Sequence, residues 1–148
     1  MEKSVRKWAL LIAVAAAACA RNPGMGSSLT GAPSARDAAT MFVGAANTQD
    51  LQAMGAVWGS DKGAARDNMD RMELERRLII LQPCYAHDRA QVLDEQMGLT
   101  PAERLVRIQL TRDNRTKTLQ FKVVRGPSNR WYVGDTAYES VQGDFCRR

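Results

Sequence analysis

Residues 104–124, RLVRIQLTRDNRTKTLQFKVV, decide the fold, because apolar and polar side chains alternate along both halves of this stretch. A period of two predicts β-strands that bury one face and leave the other in water. The polar residues Asp113, Asn114 and Arg115 between the halves favour a tight turn. We therefore predict an antiparallel hairpin. Its buried positions are Val106, Ile108, Leu110, Leu119, Phe121 and Val123.

Two further strands are predicted on either side of this hairpin. After a turn at residues 126–129, the run RWYVGDTAY directs Trp131 and Val133 inward by the same alternation. An earlier strand is predicted at about Arg89–Met97, although its alternation is poor. The second half of the chain is therefore predicted as an antiparallel meander.

The residues before the meander carry helical periodicity instead. Ser34 is placed to cap a first helix, and a second helix is predicted to end at Gly59. Residues 60–68 are predicted as a polar loop, and a third helix is predicted from about residue 68 to 82, where Pro83 stops it. The predicted apolar stripes are Ala38, Met41, Phe42 and Ala45; Leu51, Met54, Val57 and Trp58; and Met72 with Ile79.

Helices followed by an antiparallel meander predict an α+β fold. The helix pair AATMFVGAANTQDLQAMGAVWG (residues 38–59) and the closing hairpin VVRGPSNRWYVGD (residues 123–135) resemble the nuclear-transport-factor-like (cystatin-like) superfamily. The order is also similar to small bacterial lipoproteins that carry this fold. The resemblance implies N-terminal helices packed on a curved antiparallel sheet to form a cone, here a single domain over residues 36–148.

The first eighteen residues predict an export signal. Lys3, Arg6 and Lys7 precede an unbroken run of eleven apolar residues, WALLIAVAAAA. A membrane-spanning helix needs about 20 such residues, so the run is too short to span a bilayer. A basic head, a short apolar stretch and small residues at its end are typical of a secretory signal peptide, predicted here as residues 1–18.

Cys19 admits two interpretations. The stretch Ala16-Ala17-Ala18-Cys19 resembles the lipobox of bacterial lipoproteins, with Ala16 where a larger aliphatic residue is usual. That resemblance implies a lipid on Cys19, a membrane as partner and a bacterial cell-envelope location. Alternatively, ordinary signal peptidase cuts before Arg21, and the protein is plainly secreted or periplasmic. Residues 19–35 are rich in Gly, Pro and Ser, which predicts a flexible linker in both cases.

Cys84 and Cys146 are the remaining cysteines of an exported chain. Disulfides form in oxidising compartments, and this pair would close a long loop and hold the C-terminal segment. We predict a Cys84–Cys146 disulfide, the alternative being two unrelated buried thiols.

Charge and composition exclude several functions. The net charge of +5 falls to +3 without the first eighteen residues, and acidic residues are interspersed throughout. Such a surface lacks the dense basic face that nucleic acid requires, so no nucleic-acid partner is predicted. One histidine, His87, and two well-separated cysteines do not make a zinc set, so no metal or cofactor is predicted.

The predicted role is non-catalytic binding or a structural interaction in the envelope, with a small apolar ligand or an envelope protein as partner. One hypothesis is an apolar pocket, although each of its residues is more often simply part of a core. Some members of the superfamily place a carboxylate and a tyrosine in an apolar cone, which implies an isomerase-like or dehydratase-like alternative. Strand alternation directs Asp94 or Asp135 inward for that role, near Tyr85 or Tyr132. The predicted pocket residues are Phe42, Met54, Trp58, Phe121 and Trp131.

Overall fold

The computed structural model describes residues 29–146, which form the predicted α+β arrangement. Two short 3₁₀ turns, Gln82–Tyr85 and Pro127–Asn129, join longer elements. The helices and strands are, in chain order, α1 (Ala35–Asn47), α2 (Leu51–Val57), β1 (Gly59–Ser60), β2 (Gly63–Ala64), α3 (Ala65–Asn68), α4 (Arg71–Leu81), β3 (Arg89–Met97), β4 (Glu103–Arg112), β5 (Arg115–Arg125), β6 (Trp131–Asp135) and α5 (Tyr138–Val141).

The main sheet is the predicted antiparallel meander, in the order β3-β4-β5-β6. Across the central hairpin, Val106 pairs with Phe121 and Ile108 with Leu119, so the apolar positions share one face. Asp113 and Asn114 form the turn with positive φ angles of 50° and 62°. Two such residues suit a two-residue hairpin whose twist matches that of the strands.

Helix α1 lies on the apolar face of the sheet and contacts all four strands. Its start is the predicted one: the Ser34 hydroxyl oxygen accepts from the Asp37 backbone N–H at 3.1 Å. Asp50 caps α2 in the same way, accepting from the Ala53 N–H at 2.9 Å. These caps satisfy N–H groups that a helix end leaves without an internal partner.

The predicted third helix is shorter, and its buried face differs from the prediction. Helix α4 begins at Arg71, after the Asp70 cap, and buries Leu74 and Leu78. Met72 and Ile79 were predicted to lie inside, but they are 72% and 61% exposed. The prediction was wrong because α4 has apolar residues on opposite faces, and periodicity alone does not say which face meets the core. Met41 of α1, predicted on an apolar stripe, is also exposed, at 45%.

Residues 60–68, predicted as a polar loop, contain regular structure. β1 pairs with β2, and α3 follows directly. The Asn68 amide donates to the Ala64 carbonyl at 2.9 Å, and Trp58 forms a parallel bridge with Val133 of β6. Backbone pairing forms this structure, and a side-chain pattern does not reveal it.

The folded domain begins before the predicted linker boundary at residue 35. We call residues 30–32 the N-terminal strap. Ala32 and Trp131 exchange two backbone hydrogen bonds of 2.9 Å, and the Gly31 N–H donates to the Ala56 carbonyl at 2.8 Å. The Arg130 guanidinium donates to the carbonyls of Thr30 and Gly31 at 3.1 and 2.8 Å. The last part of the predicted linker is thus bound to the edge of the sheet.

Candidate functional site

The space between α1 and the sheet is filled by three aromatic side chains. Phe42 meets Tyr85 edge-on at a centroid distance of 5.2 Å and Phe121 at 6.1 Å, and Tyr85 lies 6.2 Å from Phe121. All three side chains are fully buried. Edge-on geometry at these distances is the favoured packing of aromatic rings in a core.

The five predicted pocket residues all belong to this core or pack against it. Phe42, Met54 and Phe121 are fully buried, whereas Trp58 and Trp131 are partly exposed at its margin. The Trp131 ring lies under the guanidinium groups of Arg104 and Arg125, at 5.4 and 5.7 Å from the ring centroid. The structure therefore brings the predicted residues together, and a ligand pocket between them stays a prediction.

The C-terminal segment closes one end of the core. Val141 and Phe145 are fully buried there. The Tyr85 hydroxyl donates to the Thr136 carbonyl at 2.7 Å, and burial raises the pKa of this phenol. Arg112 of β4 donates to the Phe145 carbonyl at 2.6 Å and to the Pro83 carbonyl at 3.1 Å. No local sequence signal predicted the Arg112 contacts, because they join segments far apart in the chain.

Cys84 and Cys146 stand at this closed end. Their Sγ atoms lie 2.07 Å apart, the distance of a disulfide bond, and the two residues are 62 positions apart in the chain. The predicted pairing therefore agrees with the structure. A bond here fixes the C-terminal segment to the turn that follows α4.

Asp94, a predicted catalytic carboxylate, lies on the outer face of the sheet. The register shifts between Val92 and Asp94, so that Asp94 pairs with Arg107 while Val92 pairs with buried Ile108. This β-bulge reverses the alternation that directed Asp94 inward, so that prediction was wrong. The Arg107 Nε donates to both carboxylate oxygens, at 2.9 and 3.0 Å, and its Nη2 donates to Oδ2. These bonds hold the pKa of Asp94 below its ordinary value and raise that of Arg107.

Asp135, the second predicted carboxylate, also faces water. A register shift in the pairing of β5 with β6 places Asp135 opposite exposed Lys122, whereas Val133 pairs with buried Val123. The prediction of an inward Asp135 was wrong for the same reason as for Asp94. Of the tyrosines named for the enzyme alternative, the Tyr132 hydroxyl lies 3.1 Å from the Thr30 hydroxyl, and the Tyr85 hydroxyl donates to the backbone carbonyl of Thr136, next to Asp135.

Buried polar side chains are few in the described part of the chain: Gln82 and Thr136. The Gln82 amide donates to the Ala46 carbonyl at 2.8 Å and so gives this carbonyl, near the end of α1, a hydrogen-bond partner. His87 is partly exposed, and its Nδ1 lies 2.8 Å from the Tyr85 carbonyl. Its ring thus contacts the backbone of the turn that precedes it.

The surface carries several open clefts. One, of about 440 Å³, lies between the β1–β2 turn and the outer face of the sheet and includes Asp61, Glu103 and Lys122. A second, of about 330 Å³, is lined by Leu29, Met41 and Ala53 on the helical side. A third, of about 290 Å³, runs between α2 and α4. None of these three is lined by the buried aromatic residues of the core.

Two kinds of feature are absent from residues 29–146. No three His, Cys, Asp or Glu side chains in this range come close enough together to hold a metal ion. No helix in the same range has the length and hydrophobicity needed to cross a membrane. The predicted signal peptide and Cys19 lie outside the described residues.

The fold and the cysteine pair define a small α+β domain with a packed interior and a C-terminal segment held at disulfide distance. The chain matches no model of a known protein family and no curated protein sequence.

Proposed function

We propose that this protein is an exported cell-envelope lipoprotein whose domain has a non-catalytic, structural or interaction role. The observation that carries the non-catalytic role is the packed interior, in which Phe42, Tyr85 and Phe121 are fully buried and pack against one another. Asp94 and Asp135, the carboxylates named for the alternative isomerase-like role, lie on the outer face of the sheet, where Asp94 is bound by Arg107. A domain with such an interior can still bind a partner through its surface.

The cysteine pair supports export. Disulfides persist in oxidising compartments and are rare in the cytosol. The Sγ atoms of Cys84 and Cys146 are at bonding distance, and the basic head and apolar run of residues 1–18 supply the matching export signal. On this proposal, acylation of Cys19 then retains the domain at a membrane.

The order of elements supports a cone like that of the nuclear-transport-factor-like superfamily. One long helix, α1, crosses a four-stranded antiparallel meander, and shorter helices pack outside it. In this interpretation the C-terminal segment closes one end of the cone. Fold alone does not define an activity, so the role rests on the packed interior.

Mass spectrometry of the mature protein tests the lipoprotein assignment. The full-length chain is expressed in a Gram-negative host, and we expect the mature chain to begin at Cys19 and to carry diacylglycerol and an N-acyl chain. Cys19→Ala is the matched control and should abolish the lipid without changing the domain. A mature chain that begins at Arg21 without lipid would establish plain secretion, and one that begins at Met1 would overturn export.

Titration with an apolar fluorescent probe tests the filled interior. We expect no saturable one-to-one binding by the purified lipoprotein in detergent beyond the background of detergent alone. A Phe121→Ala variant is the control, because it opens a cavity among the aromatic rings and should gain binding. Saturable binding by the unaltered protein would contradict the structural role and favour a carrier or an enzyme.

A further inference from the structure

The C-terminal segment, residues 136–146, is attached to the domain at few points. It takes no part in the main sheet, whose order is β3-β4-β5-β6, and its helix α5 has four residues. The buried residues of this segment are Thr136, Val141 and Phe145, and most of the others are exposed. Short elements with few buried side chains open locally at a lower free energy than the core strands. This segment can therefore detach while the strands stay paired.

The segment leaves β6 through a strained residue. Ala137 has a φ of +55°, in the left-handed region that a residue with a Cβ rarely adopts. The Asp135 carboxylate supports this conformation by accepting from the Ala137 N–H at 2.9 Å. A cleft of about 550 Å³, lined by Gln120 and Tyr138 among others, gives solvent access to this side of the segment. Detachment would release the strain at Ala137, which suits a hinge.

The Cys84–Cys146 bond holds the far end of the segment. Cys146 directly follows Phe145, and consecutive Cα atoms are about 3.8 Å apart, so the bond limits how far Phe145 can leave the core. The other contacts of Phe145 are noncovalent. Arg112 donates to its carbonyl at 2.6 Å, and the guanidinium groups of Arg112 and Arg115 lie 5.1 and 5.9 Å from its ring centroid. The disulfide is thus the restraint that a chemical reaction can remove.

Each sulfur has a hydrogen-bond acceptor on its own side of the bond. The Cys84 Sγ lies 3.5 Å from the Ile80 carbonyl oxygen, at the end of α4, and the Cys146 Sγ lies 3.4 Å from the Val141 carbonyl oxygen, within the segment. A thiol can donate to such an oxygen. Reduction therefore gives both thiols a partner, and neither partner is lost when the segment moves away from α4.

We propose that the Cys84–Cys146 bond is a thiol-exchange site and that its reduction by a dithiol detaches the C-terminal segment. The dithiol attacks, as a thiolate, the sulfur of partly exposed Cys146, since Cys84 is fully buried. The electron pair of the S–S bond leaves on the Cys84 sulfur, which takes up a proton. The second thiol of the dithiol then displaces the Cys146 sulfur, which is protonated in turn, and the dithiol becomes a disulfide. This inference goes beyond the proposed function and does not depend on a lipid at Cys19.

Detachment uncovers an apolar end of the core. Val141 and Phe145 are fully buried, and α5 packs against β5 and the turn Gln82–Tyr85. When these two side chains leave, the surface that they cover meets solvent. The exposure of this surface then depends on the supply of dithiol around the protein.

Hydrogen exchange followed by mass spectrometry tests the exchange site. The protein is expressed from the full-length chain, purified in detergent and measured before and after treatment with dithiothreitol. The reporters are the Ser140 and Gln142 amides, which donate to the carbonyls of Ala137 and Tyr138 at 3.0 and 2.9 Å. We expect these amides to exchange at least about tenfold faster after reduction, because the covalent limit on local opening is gone. Amides of β4 and β5 should remain the more strongly protected.

Two variants separate local detachment from global unfolding. Cys84→Ser/Cys146→Ser should exchange like the reduced protein and should not respond to dithiothreitol. Gly44→Ala stabilises α1 at a position where a Cβ meets nothing within 4 Å, far in the chain from the segment. In the reduced protein this change should slow exchange in β4 and β5 and leave the Ser140 and Gln142 amides unchanged, since local opening does not require unfolding of α1.

Three results would overturn the proposal. The first is equal exchange of the segment before and after reduction. The second is exchange of the segment and the central strands at one common rate, slowed equally by Gly44→Ala, because the bond would then act on global unfolding alone. The third is a free thiol at both Cys84 and Cys146 in the untreated protein, because no bond would be present to exchange.

Discussion

At the scale of single residues, two bulges decide which side chains can do chemistry. Asp94 and Asp135 share the alternation phase of buried neighbours in the sequence, and each is moved to the outer face by one extra residue in its strand. In a sequence, a β-bulge shows only as a local break in the alternation of apolar and polar residues. The poor alternation of β3 is such a break. The carboxylates were therefore predicted on the wrong face, although the strands were predicted correctly.

Replacing Tyr85 with Phe tests the closed end of the core. The variant loses the hydrogen bond to the Thr136 carbonyl and leaves that buried acceptor without its donor. We expect a loss of about 1–2 kcal/mol in the free energy of unfolding at pH 7, measured by urea denaturation. Because burial raises the pKa of the folded phenol above its ordinary value of 10.0, stability falls as pH rises beyond 10. The variant should lack that decline, and an unchanged alkaline slope would contradict the burial.

Asp94→Asn tests the pair on the outer face. Arg107 holds the pKa of Asp94 below its ordinary value of 3.8, so the pair stabilises the fold above that pH and is lost as pH falls through the lowered pKa. We expect the wild-type Tm to exceed that of the variant at neutral pH and the difference to vanish in stronger acid. Asp61→Asn in the β1–β2 turn is the control for the loss of one charge, and an equal effect there would refute a specific pair.

At the scale of elements, α1, α2, β4, β5 and β6 could be predicted because their side-chain periods are clear, and β3 was predicted despite its poor alternation. The strap, β1, β2 and α3 could not be predicted. Backbone hydrogen bonds hold these segments, and two glycines with positive φ angles, Gly31 and Gly63, allow their turns. The buried face of α4 was mispredicted because Met72 and Ile79 carry as much apolar signal as Leu74 and Leu78. Local sequence describes an element's period, but the tertiary neighbour selects which face is buried.

Gly31→Ala tests the N-terminal strap. Gly31 has a φ of +69°, and a Cβ there would lie 2.8 Å from the Tyr132 ring and 2.9 Å from the Arg130 side chain. We expect a loss of about 2 kcal/mol or more, from the left-handed conformation and the clash together. Gly44→Ala in the middle of α1 is the opposite control: a Cβ there meets nothing within 4 Å, and the change should stabilise by about 0.5–1 kcal/mol. Urea denaturation of both variants checks the contrast, and a neutral Gly31→Ala would disprove an ordered strap.

At the scale of the whole molecule, the cysteine pair ties the C-terminal segment to the turn after α4. A bond between residues 62 positions apart restricts the unfolded chain and stabilises the fold by about 4 kcal/mol on the chain-entropy model. Arg112 and Phe145 hold the same segment without covalent help. The closed end therefore combines a covalent tie with noncovalent contacts.

Reduction tests that covalent tie. We expect dithiothreitol to lower the urea midpoint of the unaltered protein markedly, in line with a loss of about 4 kcal/mol. The Cys84→Ser/Cys146→Ser double variant should start near the reduced value and show no response to dithiothreitol. Free-thiol labelling of the oxidised domain should find neither cysteine, and reaction at both would contradict the bond.

The strap and the C-terminal segment lie at opposite ends of β5. Arg125 pairs with Trp131 beside Ala32, whereas Arg115 at the other end donates to the Asp144 carbonyl at 3.2 Å. Eleven residues of antiparallel strand cover about 35 Å. Tension applied between the two termini would run along the strands, at right angles to the inter-strand hydrogen bonds. The two hydrogen bonds between Ala32 and Trp131, which join the strap to β6, would then bear that load in shear.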